Sequence, residues 1–104
     1  MIITDNLLNG GGIQCSVATG ADVHDNVISE VLIDRNKISN CDNGVSLYAG
    51  TGGSRNNLLE NVILRNTLVM NCYGAGVLLH GDDDRSQNNA IKNVTITNLT
   101  LVMN

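Results

Sequence analysis

Five residues occur twice in this chain, letter for letter: Thr67-Leu68-Val69-Met70-Asn71 and Thr100-Leu101-Val102-Met103-Asn104. A weaker copy, Lys37-Ile38-Ser39-Asn40-Cys41, stands one period upstream, and Cys72 follows the second word as Cys41 follows Asn40. A period of roughly thirty residues in so short a chain is the signature of a solenoid, in which each repeat is one turn of a coil that cannot bury its apolar face alone.

Apolar residues within the period alternate, as in Val31/Ile33, Val45/Leu47, Val62/Leu64, Val77/Leu79 and Val94/Ile96. A spacing of two sets those side chains on one face of a strand. Gly and Asn interrupt the segments before they are long enough for helices. The aliphatics are Ile, Leu and Val; there is no Phe, Trp or Pro, and only Tyr48 and Tyr73 are aromatic. Branched aliphatics between Asn- and Gly-rich corners read as many short strands. Antiparallel hairpins would not lay like residue on like at such a period. Parallel coils would, with neighbouring strands about 4.8 Å apart. Val31, Val62 and Val94 are then expected in one column, and Cys41 beneath Cys72. Asn40, Asn71 and Asn104 are expected at one corner and Asn26, Asn57 and Asn89 at another, stacking their amides as a ladder. Gly12, Gly44 and Gly76, each just before a Val or Ile pair, are expected to supply freedom in φ.

The recurring N-x-I/V-x-N-C-x-x-G-V/I-x-L pattern resembles the right-handed parallel β-helix of the pectate lyase type, over essentially the whole chain. The resemblance implies an all-β, right-handed parallel β-solenoid of about three to four coils, roughly 31–32 residues each, with no capping helix. It implies one repeat domain over residues 1–104, and polysaccharides as the commonest partners of such folds. The run Gly81-Asp82-Asp83 is similar to a motif of polygalacturonase-like glycoside hydrolases. The N-T-D, G-H-G and R-I-K that accompany it there do not occur in this chain, so that catalysis is not carried over. The Lys and Arg pattern of pectate lyases is missing too, and Arg35 and Arg65 read as stacked surface charges.

The formal net charge is −4, with six basic residues scattered rather than clustered. Nucleic acid as a partner needs a basic patch, so it is excluded on this reading. No apolar run reaches the roughly eighteen residues of a membrane span, and no signal peptide opens the sequence. The compartment is left undetermined. Cys15, Cys41 and Cys72 fit no zinc spacing. An odd count fits poorly with a disulfide framework, and in-register positions on parallel strands suit stacked buried thiols better than disulfide geometry.

Each coil carries one long irregular corner: 18–25, 49–56 and 81–88. The last holds Asp82, Asp83, Asp84 and Arg85, directly after His80. If Leu79 points inward, His80 points outward, and the repeat stacks it on Tyr48. His80 and Asp82 to Arg85 are thus the candidate catalytic residues, with Tyr48, His24 and Asp22 as candidate substrate contacts on the same outer edge. Two coils span about 10 Å, near the roughly 6.5–9.5 Å between the carboxylates of inverting glycosidases. His and paired carboxylates can move protons, and Asp82, Asp83 and Asp84 in one turn could offer oxygens to Ca²⁺. No other cofactor is implied. A solvated corner, where Asp is common, accounts for the same residues. The two N-x-T sequons, at Asn93 and Asn98, read as chance matches in an Asn-rich chain.

The end coils are expected to expose unpaired backbone and bare aliphatics, Val94, Ile96, Leu101 and Val102 at one end and Ile2, Ile3, Leu7 and Leu8 at the other. Self-association, or membership of a longer helix, follows as an expectation. Two functional readings stand. One is a module that binds or modifies polysaccharide along an outer edge. The other is a non-catalytic solenoid acting as a scaffold through oligomerisation.

Overall fold

The computed structural model describes residues 1–103 and contains nine strands and, among those residues, no helix. Coil one is β1 (Ile2–Thr4), β2 (Leu7–Asn9) and β3 (Ile13–Ser16). Coil two is β4 (Val27–Asp34), β5 (Lys37–Ser39) and β6 (Val45–Tyr48). Coil three is β7 (Leu58–Met70) and β8 (Val77–His80), and β9 (Ala90–Val102) begins a fourth. Every strand pairs in parallel with its equivalent one coil away. The fold is therefore a parallel β-solenoid of about three turns. One sheet runs along β1, β4, β7 and β9, with β5 and β2 joined to it through β7, and a second is β3-β6-β8.

The core is a set of columns. Ile3, Ile33, Leu64 and Ile96 stack in one. Val31, Val62 and Val94 form the expected second. Leu8, Ile38, Val69 and Leu101 form another, and Cys15, Leu47 and Leu79 another on the second sheet. Middle members such as Ile33, Leu47, Leu64 and Val69 are wholly buried. Stacked aliphatics of similar width let each coil seal the one below it.

Corners bend at residues in the left-handed region. All described non-glycine residues with positive φ fall into four columns: Asp5/Arg35/Asn66/Asn98, Asp25/Asn56/Asn88, Glu30/Asn61/Asn93 and Asn40/Asn71. Asn predominates because its short amide tolerates that conformation. These bends explain how β7 and β9 can each be thirteen residues long: both turn twice, at Asn61 and Asn66 and at Asn93 and Asn98. Exposed amides stack along the bends, with Asn98 Nδ2 donating to Asn66 Oδ1 at 2.7 Å and Asn93 Nδ2 to Asn61 Oδ1 at 3.2 Å.

The structure corrects three expectations. First, the repeated word does not stack on itself. Thr67 aligns with Leu99, Leu68 with Thr100 and Val69 with Leu101, an offset of 32, whereas the letters recur at 33. The bends set the register: Asn66 and Asn98 must coincide for both to turn the chain, and Leu101 rather than Val102 then faces inward. The residue in Asn71's own column is Met103, not Asn104, which lies outside the described residues. Second, Gly12, Gly44 and Gly76 do not have positive φ. They are glycine because the chain passes too close for a side chain: a Cβ on Gly44 would meet the Gly76 carbonyl oxygen and Val69 Cγ1, both at 2.5 Å. Third, Cys41 and Cys72 are joined in a disulfide, and only Cys15 is a free thiol. Both cysteines lie just past the bends at Asn40 and Asn71, outside the strands, so the pleat does not fix their Cβ directions. Their Cα atoms are 4.5 Å apart, within the range of roughly 4.4–6.8 Å that a disulfide spans.

Candidate functional site

Two outward columns of the second sheet set the frame. On β3, β6 and β8 the inward residues alternate with Gln14, Ser46 and Leu78 in one outer column and Ser16, Tyr48 and His80 in the next. The predicted Tyr48–His80 stack is present, with ring centroids 5.4 Å apart and planes tilted by 47°. His80 Nε2 is buried and has no hydrogen-bond partner among the described residues. Leu79 continues the inward column above Leu47 but is 49% exposed, since no described strand covers β8.

The acidic corner after His80 divides into distinct roles. Asn26, Asn57 and Asn89 form the inner ladder. Asn57 Oδ1 accepts from both the backbone N–H (3.0 Å) and the Nδ2 (3.1 Å) of Asn26. Asn89 Oδ1 accepts from the N–H (2.9 Å) and Nδ2 (2.8 Å) of Asn57. The next acceptor is Asp82: its Oδ1 receives the N–H (3.1 Å) and Nδ2 (2.6 Å) of Asn89. Asp82 thus occupies the place that a further asparagine would take. All the donors point towards it, so a carboxylate at that end terminates the line of amide dipoles favourably.

Asp83 is committed as well. Its Oδ2 accepts from Gly52 N–H one coil below at 2.8 Å, and its Oδ1 accepts from Ser86 Oγ at 2.6 Å and from Arg85 N–H at 3.2 Å. The Ser86 hydroxyl first, and the Gly52 N–H second, hold its carboxyl down to about 2 from an ordinary 3.8. A carboxylate so stabilised does not serve as a proton donor near neutrality. Asp84 and Arg85 are exposed.

His24 does not join the Tyr48–His80 column. Its Nδ1 lies 2.6 Å from Asp25 Oδ2, and its backbone stacks with Arg55 and Gln87 along the long corners. The hydrogen bond with His24 is the main reason that the Asp25 carboxyl is lowered. Asp22 is exposed in the same coil-one corner. The sequence reading therefore places Tyr48 and His80 together correctly, while Asp82 and Asp83 turn to the ladder and to the coil below. Among the described residues no group of three or more His, Cys, Asp or Glu is close enough to hold a metal ion. Among the described residues no helix is long and apolar enough to cross a membrane.

Two features had no counterpart in the sequence reading. One is an ion network along the opposite edge. Arg35 bridges Asp5 (Nε–Oδ1 2.8 Å) and the nearly buried Asp34 (Nη1–Oδ2 2.6 Å), and Arg65 Nε approaches Asp34 at 3.3 Å. Burial works against ionisation of Asp34, but the Asn66 and Arg65 hydrogen bonds and the Arg35 charge outweigh it and hold the carboxyl below its ordinary value. Both arginines are thereby drawn into structural pairs. The only sequence signal is the column itself, Thr4/Asp34/Arg65, which sets opposite charges one coil apart.

The other feature is a cleft of about 340 Å³ beside the glycine run Gly10-Gly11-Gly12. Gly10, Asn40 and Asn71 are equivalent: each donates its N–H to the coil above, to Ser39, Met70 and Val102 respectively. From there to the second sheet coil one uses two residues (Gly11–Gly12), coil two uses four (Cys41–Gly44) and coil three uses five (Cys72–Gly76). The short first corner cannot reach as far out as those above it, and the overhang is the cleft.

No protein-family model matches the chain, and comparison with curated proteins and with solved structures finds no match. Function has to be read from the residues themselves.

Proposed function

We propose that this chain is a glycan-binding β-solenoid that holds a polysaccharide against the outer face of β3-β6-β8 without cleaving it. One observation carries the reading: that face combines a stacked aromatic pair, Tyr48 and His80, with the polar Gln14 and Ser16, while the neighbouring carboxylates of Asp82 and Asp83 are spent on the fold. An aromatic surface beside hydroxyls and amides suits a ligand with apolar faces and many hydroxyl groups. The resemblance to pectate lyase-type β-helices supports the same partner class. The test is a screen of neutral and acidic polysaccharides, with and without Ca²⁺, that reads retention and product release together. Retention without product is expected, weakened by Tyr48→Ala. Release of reducing or unsaturated ends that disappears in His80→Ala and Asp84→Asn would establish an enzyme instead.

A second reading, assembly through coil-on-coil contact, is favoured by a separate observation. The buried columns end on Leu79, Ile96 and Leu101, which are 49%, 42% and 46% exposed. Apolar side chains in register with a core below them suit a second copy as cover. Light scattering over a concentration series decides it: growth in mass supports the reading, and a constant monomer mass rejects it.

A further inference from the structure

The geometry points to the cleft at the glycine corner as a binding site for one neutral pyranose unit, held by Tyr73 and Asp42. This inference rests on the glycan-binding reading and gives it a location and a sugar class. The chain at Gly10–Gly12 forms one wall, with no side chains to fill the space. Gln14 and Ser46 come from the outer face of the second sheet, so the cleft is continuous with the surface that carries Tyr48 and His80. Asn40, Asp42 and Asn43 line the opposite side, and Tyr73 stands at the rim.

Each of these groups supplies something a sugar needs. Tyr73 is 87% exposed, an unusual position for one of only two aromatic residues in the chain, and its ring can cover the apolar face of a pyranose. A carboxylate accepts two hydroxyl donors side by side, as a vicinal diol offers them; the amide of Gln14 provides both donors and an acceptor, and Asn40, whose Nδ2 donates to Asn9 Oδ1 at 2.9 Å, offers its carbonyl oxygen. The volume is at the small end of the roughly 300–1,000 Å³ typical of ligand pockets, enough for a sugar unit rather than a long chain. Asp42 is the only charged residue lining the cleft among the described residues. With no Lys or Arg to offset it, a uronic acid carboxylate would be repelled, so the class is neutral.

The rim is also held in place. Cys41 directly precedes Asp42, and Cys72 directly precedes Tyr73, so the disulfide fixes both ligand-facing residues from behind. Tyr73 N–H donates to Cys41 O at 2.8 Å, Gly74 N–H to Asp42 O at 2.6 Å, and Ala75 N–H to Asn43 Oδ1 at 2.8 Å. Pre-positioned groups lose less entropy on binding.

The experiment is an amide chemical-shift titration of the oxidised full chain with cellohexaose, mannohexaose and trigalacturonate, repeated on Tyr73→Ala, Asp42→Asn and Tyr48→Ala. Because Tyr73 is almost wholly exposed, its variant should retain the wild-type spectrum away from the corner. A neutral hexaose should shift Gly10 to Gly12 and Asn43, with affinity falling about tenfold or more in Tyr73→Ala and several-fold in Asp42→Asn. Trigalacturonate should leave those amides unmoved. Binding of trigalacturonate at the corner would overturn the neutral class. Neutral-sugar binding that survives Tyr73→Ala but is lost in Tyr48→Ala would remove the cleft and leave the sheet-face reading standing. Absence of binding by all three would remove both.

Discussion

Two corners of the coil solve the same problem in different ways. At the Asn26/Asn57/Asn89 corner one link repeats: the Oδ1 of Asn57 and that of Asn89 each accept the N–H and Nδ2 of the asparagine one coil below. At the Gly10/Asn40/Asn71 corner no two coils are alike. The connection lengthens from two to four to five residues, a disulfide ties the upper two, and a cleft opens beneath the overhang. The first corner fixes register by repetition. The second is free to vary because a covalent bond takes over that task. In a solenoid, then, the place to look for a site is the corner where the repeat breaks, since side chains such as Asp42 and Tyr73 there have no equivalent in every coil to stack on.

Removing the staple should produce the largest effect. For cysteines 31 apart in sequence, loop-closure entropy gives about 3–4 kcal/mol of stability to the oxidised protein. Cys41→Ala/Cys72→Ala should lose about that much in urea unfolding, and Tyr73 and Asp42 should lose their fixed positions with it. An unchanged midpoint would mean that the variable corner is held by packing alone. Next comes the ladder. Asn57→Ala takes away the acceptor of the Asn26 N–H and one of the two acceptors of its Nδ2, and it removes the Nδ2 donor to Asn89 Oδ1 while the backbone N–H at 57 remains; because position 57 is wholly buried, the change should cost about 2–3 kcal/mol. Asp82→Ala removes only the cap and should cost about 1–2 kcal/mol, with Asp82→Asn, which keeps an acceptor oxygen, recovering roughly half. If Asp82→Ala is neutral in urea unfolding, the ladder does not need its terminus.

The smallest effect is a pH dependence. Asp83 is lowered to about 2 in the folded protein from 3.8. A depressed carboxyl stabilises the fold fully above the unfolded value and ceases to do so as pH falls through the folded one. The stability difference between wild type and Asp83→Asn should therefore be constant above pH about 4 and close between about 4 and 2. A difference that instead widens as pH falls would contradict the hydrogen bonds assigned to Asp83.

Much of the architecture was legible in the sequence, because alternation and repetition encode it directly. Val31, Val62 and Val94 share a column as their spacing indicates, and Tyr48 meets His80. What the letters could not convey was which equivalence controls the register. The repeated Thr-Leu-Val-Met-Asn is more conspicuous than Asn66 and Asn98, yet an aliphatic word can shift by one residue at modest cost, whereas a bend cannot. The ladder cap was illegible for another reason. Asp82 lies seven residues before Asn89, and the same step back from Asn26 and Asn57 gives Thr19 and Gly50, so no repeat pattern marks it. The ion network around Asp34 and the inner pair Asn6–Asn36, whose amide contact is 3.0 Å, were visible only as residue types in a column. The disulfide is not legible because the pleat of a strand would fix in-register Cβ directions, whereas both cysteines sit beyond the strand ends.

The parallel stack at a spacing of about one coil is the premise of every assignment above, and the disulfide reports it most directly. Peptide mapping of the oxidised protein, digested without reduction after alkylation of free thiols under denaturing conditions, should find Cys41 linked to Cys72 and Cys15 alkylated. The stacking of coil two under coil three in the register described brings those two residues within bonding distance and leaves Cys15 apart from both. A bond from Cys15 to either of the others, or all three thiols alkylated in protein kept under oxidising conditions, would contradict that stacking.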